Sequence, residues 1–127
     1  MTHRSRLTAA LVDVPAEHYQ SSVDFWSGAL GRTAEPDEDD PEYTLLSGPD
    51  QGLSMIVQRV DDAARVHLDI ETDDVDAEVR RLEALGAVRV RQVKTWWILR
   101  DPAGLLFCVV RVQRPEEFAT QATEWPD

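Results

Sequence analysis

Apolar residues recur at helical spacing in two stretches of this chain. Tyr19, Val23, Trp26 and Leu30 follow one another at intervals of 4, 3 and 4, the spacing that puts side chains on one stripe of a helix. They predict a helix from about Ala16 to Leu30, with Pro15 suited to its start and Gly31 to the position just past its end. Val75, Val79, Leu82 and Leu85 predict a second helix over about Val75 to Leu85, capped by Thr72 or Asp73 and ended by Gly86. Alternating or continuous apolar runs bounded by turn residues predict strands near Leu7–Val14, Arg32–Glu35, Glu42–Ser47, Leu53–Val60, Arg65–Glu71, Val88–Val93, Thr95–Arg100 and Leu105–Val112. The acidic, proline-bounded run from Glu35 to Glu42 reads as a solvated connector. Residues 113–127 read as a tail whose Trp125 packs back on the domain or onto a partner subunit.

These elements repeat. Asp13-Val14 leads into a helix ending Ala29-Leu30-Gly31, and Asp69-Ile70 leads into one ending Ala84-Leu85-Gly86. Gly48-Pro49-Asp50-Gln51-Gly52-Leu53 precedes an apolar run, as does Asp101-Pro102-Ala103-Gly104-Leu105. Offsets run from 52 (Gly52 to Gly104) to 56 (Asp13 to Asp69). Each module reads strand, helix, three strands, over about 6–60 and 64–112, within one domain of 127 residues.

Three groups of residues then carry a family resemblance: Val23-Asp24-Phe25-Trp26-Ser27-Gly28-Ala29-Leu30-Gly31; Val66-His67-Leu68-Asp69-Ile70 with Leu82-Glu83-Ala84-Leu85-Gly86-Ala87; and Leu99-Arg100-Asp101-Pro102-Ala103-Gly104-Leu105-Leu106-Phe107-Cys108. The sequence over roughly 6–112 resembles the vicinal oxygen chelate superfamily, and within it the glyoxalase-like subgroup. The resemblance implies an α+β fold of two βαβββ modules, a mixed sheet curled around a cleft with helices outside, as in the glyoxalase/bleomycin resistance fold. It also implies a homodimer. Metal-dependent members place ligands on the first and last strands of each module, and those positions fall here at Ala9, about Ile56, His67 and Cys108. Alanine and isoleucine have no donor atom, and catalytic metals usually take three protein ligands. No metal and no cofactor are therefore expected.

Strand period assigns the faces. Val66, Leu68 and Ile70 should face the helices, and Arg65, His67, Asp69 and Glu71 the cleft or solvent. Ile56 shares its face with Ser54 and Gln58. A four-residue turn, Asp101 to Gly104, would place Trp97 and Leu99 with Cys108 on the cleft side, and Trp96 and Ile98 with Phe107 on the helix side. The candidate ligand contacts are thus His67, Asp69, Trp97, Cys108, Gln58 and Ser54, against apolar wall from Leu7, Ala9, Leu11, Ile56 and Leu106. Such a mixture suits a small-molecule pocket. Bland roles compete at each position. Trp97 could be packing, His67 a satisfied sheet histidine, and Cys108 a small buried apolar residue. Asp69 could simply orient His67 or pair with Arg65. His3 and His18 read as surface residues.

Composition narrows the partners. Apolar residues are 43% of the chain and charged ones 29%, with a net charge of −11. Acidity of that size argues against nucleic acid and anionic membranes and suits a cationic ligand. With four tryptophans, an aromatic ligand also fits. Cys108 is the single cysteine, so no intrachain disulfide forms, in keeping with a reducing compartment. No signal peptide or spanning segment is apparent, and a cytoplasmic location is expected. There is no glycine-rich phosphate loop and no GxSxG elbow, and a thiolate at Cys108 would sit poorly in an apolar strand. The sequence thus points to a metal-independent small-molecule-binding domain without an assigned catalytic residue. Its rivals are a metal-dependent lyase, isomerase or dioxygenase with a displaced ligand set, and a protein that sequesters a cationic antibiotic.

Overall fold

A computed structural model describes residues 1–48 and 52–127. Pro49, Asp50 and Gln51, part of the first module's turn motif, lie outside the described residues. The chain divides into two compact units: Ala9–His67 is the first unit, and Met1–Thr8 with Leu68–Asp127 is the second. Among the described residues no helix is long and apolar enough to cross a membrane.

The first unit takes the later part of β1 (Thr2–Pro15), a 3-10 turn at Ala16–His18, α1 (Tyr19–Leu30), β2 (Thr33–Pro36), β3 (Tyr43–Ser47), β4 (Ser54–Val60) and the opening residues of β5 (Arg65–Thr72). β4 runs parallel to β1, from Ala9 opposite Ser54 to Pro15 opposite Val60. β3 is antiparallel to β4, and β2 to β3. Gly31 ends α1 at φ 64°, a left-handed conformation that costs glycine least. Three residues of the predicted stripe pack as expected: Val23 is buried with Val14, Leu46 and Val57, flanked by Tyr19 and Trp26, whereas Leu30 at the end of α1 is 43% exposed. Burying one such side chain contributes about 1.5–3 kcal/mol. Val12 and Val14 of β1 thus face α1, and Leu11 and Asp13 face the other way.

The second unit takes the start of β1, most of β5, α2 (Val75–Ala84), β6 (Val88–Val93), β7 (Trp96–Arg100), β8 (Leu106–Arg111), α3 (Pro115–Gln121) and β9 (Thr123–Pro126). β8 is parallel to β5 and antiparallel to β7, which is antiparallel to β6 with an irregularity between Arg89 and Arg91. The helix cap is Asp74, one residue after the expected pair, its carboxylate accepting from Ala77 N at 3.0 Å. Val79 packs with Leu99, Phe107 and Val109.

Residues 113–127 are no tail. Pro115 opens α3, Phe118 is buried, and β9 pairs with the start of β1, His3 opposite Trp125. His3, expected at the surface, is only 2% exposed. Its Nε2 donates to Glu78 Oε1 at 2.7 Å, and its Nδ1 to Asp127 Oδ1. Glu78 is fully buried and also accepts two bonds of 2.8 Å from Arg81. Burial pulls the His3 pKa down, but the bonds to Glu78 and Asp127 outweigh it and leave it above the ordinary 6.5. Burial pushes Glu78 up, but Arg81 and His3 hold it below 4.5.

Candidate functional site

On the face of the first unit turned from α1 sits a buried carboxylate. Asp13 is 0% exposed, between Val12 and Val14 on β1. An ionised group there needs partners to offset its lost hydration. His67 Nδ1 donates to Asp13 Oδ2 at 2.6 Å, and Arg65 Nε donates to the same oxygen at 3.3 Å. Asp13 Oδ1 is buried too, and has no hydrogen-bond partner among the described residues. His67 is 7% exposed.

Chemically this is a carboxylate–imidazole pair. With the proton on Nδ1 pointing at Asp13, the neutral ring carries its lone pair on Nε2. The carboxylate fixes the ring plane, favours that tautomer and stabilises the imidazolium if the ring takes a second proton. Such a histidine serves as a hydrogen-bond acceptor or as a base.

The β1–β4 register sets the surroundings. Asp13 stands opposite Gln58, Leu11 opposite Ile56 and Ala9 opposite Ser54, so these six share one face. Gln58 Nε2 donates to Tyr43 Oη at 3.1 Å, and Tyr43 is itself opposite Gln58 on β3. Gln58, Ser54 and Ile56 therefore lie on the side that the strand period indicated. Asp13 is not among the contacts expected from the sequence, where it only aligns the two modules. Its signal was a lone charge inside the apolar run Leu11-Val12-Asp13-Val14, where burial obliges a partner. The carboxylate at His67 Nδ1 and at Arg65 is that of Asp13; the sequence suggested Asp69 for both.

In the second unit Asp69 stands opposite Cys108 in the parallel β5–β8 ladder. Both are partly buried. Trp97 does not share their face. The pairs are Arg100 with Leu106, Ile98 with Cys108 and Trp97 with Val109. The loop between β7 and β8 spans Asp101 to Leu105, one residue more than the expected turn, and that residue slips the register and exchanges the faces. Trp97 and Leu99 pack with α2, and Ile98 accompanies Cys108. Trp97 is corrected from cleft wall to helix-side packing, with Arg89 4.9 Å from its ring centre. On β5, Ile70 packs toward α2, but Val66 and Leu68 are 52% and 37% exposed. Glu71 on the polar face is fully buried, accepting from Arg6 and from the backbone of Gln113 and Arg114.

The family's metal set does not fit this chain. Ala9 and Ile56 lie within the β1–β4 ladder with nothing to offer a cation. The donors remaining at family positions are His67 and Cys108, with Asp69 beside them in sequence and ladder.

The glyoxalase-like domain family model matches residues 9–110. A hypothetical protein from Bacillus halodurans aligns at TM-score 0.62 and 10% identity, covering 87% of this chain and 96% of its own. Methylmalonyl-CoA epimerase from Mycobacterium tuberculosis aligns at TM-score 0.54 and 18% identity, covering 87% and 89%. The Mn(II)-bound glyoxalase from Novosphingobium aromaticivorans aligns at TM-score 0.59 and 17% identity, covering 90% of this chain but 43% of that one. No curated protein matches by sequence. At these identities the structural likenesses establish the α+β fold of the glyoxalase/bleomycin resistance type, and the family match over 9–110 establishes membership: this chain belongs to the glyoxalase-like domain family of the vicinal oxygen chelate superfamily.

Proposed function

We propose that this chain binds a small molecule without a metal, on the helix-free sheet face of its first unit. The observation that carries the reading is the buried Asp13–His67 pair, a polar anchor held at 2.6 Å among the hydrocarbon of Leu11 and Ile56. Ser54 and Gln58 add polar contacts on the same face. A few fixed polar groups on an apolar wall are what orient a ligand in such sites. The net charge of −11 favours a neutral or cationic ligand over an anionic one. A cytoplasmic, homodimeric protein belongs to the same proposal, and sedimentation velocity tests the dimer.

Calorimetric titration of a panel of neutral and cationic small molecules tests the binding, after metal analysis of the purified protein. The expected result is saturable binding by metal-free protein, weakened at least tenfold by His67→Ala. One equivalent of Zn, Ni, Mn or Fe restoring an activity would replace this reading with a metal-dependent enzyme. A second reading, an isomerase or lyase, draws on the same pair, because a carboxylate behind an imidazole also suits proton abstraction. In that case His67→Ala abolishes turnover.

A further inference from the structure

The second unit holds a cavity of about 460 Å³ that the proposal above does not use. Its floor is the helix side of β5 and β8, its walls are α2, β9 and the turn before β8, and the start of β1 closes one end. That volume lies in the range of small-molecule sites, and walls from several elements make it a concavity instead of a flat face.

Its lining is mostly hydrocarbon: Leu7, Leu68, Ile70, Leu82, Leu105 and Phe107. Leu7, Leu68 and Leu105 are 44%, 37% and 45% exposed, so apolar surface there meets water unless something covers it. The charges at the rim are already committed. Arg81 gives two donors to Glu78 and lies 3.9 Å over the Trp125 ring. Arg6 donates to Glu71. Asp101 Oδ1 accepts from the backbone N–H groups of Ala103 and Leu105. The Trp125 indole donates to Ser5 Oγ at 2.9 Å. A charged ligand would lose its hydration here and find no counter-charge to offset the loss.

We infer that this cavity is a second ligand site, which takes an uncharged, predominantly apolar small molecule, aliphatic or aromatic. It is independent of the Asp13–His67 pair and shares no lining residue with it. Trp125 forms part of the wall and reports on occupancy.

The test uses N-phenyl-1-naphthylamine, a neutral apolar fluorophore, with the full chain. Saturable enhancement is expected at one probe per chain, with energy transfer from tryptophan reduced in Trp125→Phe. Leu68→Arg should weaken the probe at least tenfold. Leu105→Ser, in the exposed turn, should weaken it several-fold with the far-ultraviolet dichroism unchanged. His67→Ala should leave probe affinity where it was. Two results would overturn the inference. One is no saturable binding up to the probe's solubility, or affinity equal to wild type in both leucine variants. The other is a wild-type dimer that binds the probe only after Leu68→Arg dissociates it, which would make the cavity an interface between copies.

Discussion

Two histidines of this chain lie against carboxylates, and they are finished differently. At His3 both ring nitrogens meet carboxylate oxygens, one on α2 and one beyond β9, so both must donate. The shared carboxylate, Glu78, is completed by two bonds from Arg81. At His67 the carboxylate is Asp13, whose Oδ2 takes both the imidazole and a longer bond from Arg65, while Oδ1 is buried with no hydrogen-bond partner among the described residues. A completed network specifies one arrangement and fastens the elements that carry it. An uncompleted one costs stability, and such costs gather where a protein does something other than hold itself together. The lesson lies in the carboxylates. Both oxygens of Glu78 are committed, and one oxygen of Asp13 has no hydrogen-bond partner among the described residues.

The largest effect expected from breaking this comparison is at Glu78. Glu78→Ala leaves His3 Nε2 a buried donor without its carboxylate and takes both bonds from the half-buried Arg81, and should cost about 3 kcal/mol, read from urea unfolding at constant slope. A loss below about 1 kcal/mol would put this network on a par with an exposed ion pair. The same network sets the pH dependence. His3 is raised above 6.5, so its contribution is fully present below that pH and is lost as pH rises through the folded value. Glu78, and outside this network Glu71 with its bonds from Arg6 and the backbone of Gln113 and Arg114, are lowered below 4.5, so theirs is present above that pH and is lost as pH falls through their folded values. The thermal midpoint should therefore fall on both sides of a plateau, and His3→Gln should flatten the alkaline side. An alkaline limb unchanged in His3→Gln would assign it elsewhere.

The His67 pair should respond in chemistry more than in stability. Asp13→Asn offers an amide that can donate toward Nδ1 and so pushes the ring proton to Nε2. Nitrogen-15 spectra of His67 should report the changed tautomer. Affinity for a ligand found by calorimetry should fall about tenfold, or about 1.4 kcal/mol. An unchanged spectrum would mean that Asp13 does not govern the ring. Smallest of all, Arg65→Gln should alter stability by less than about 1 kcal/mol, as befits a 3.3 Å pair whose arginine side chain is 35% exposed.

What the sequence made legible follows from the range of the forces involved. Helical and strand periods are local, so α1, α2 and β2 to β8 fall within a few residues of expectation, and Ser54, Ile56 and Gln58 share the expected face; β1 begins at Thr2, five residues before the expected Leu7. β9 and the burial of His3 depend on pairing between opposite ends of the chain, His3 with Trp125 and Asp127, which no local pattern encodes. Asp13 was visible as a charge among valines, but its partner lies 54 residues on. Trp97 went astray because β7 reads Trp-Trp-Ile-Leu. A strand apolar at every position gives alternation nothing to alternate.

That last feature bears on how such a protein could change. The register of β7 against β8 hangs on a loop tied by Asp101, whose side chain and backbone hold it at residues 101–105, with Gly104 at φ 97°. Removing one residue from this loop would turn Trp96 and Ile98 toward α2 and bring Trp97 and Leu99 round beside Cys108. Each face would still receive a tryptophan and an aliphatic residue, so the swap would demand little of the core. One codon deleted at a surface turn would thereby repaint the wall next to Cys108, a route to new binding preferences that needs no substitution in the sheet at all.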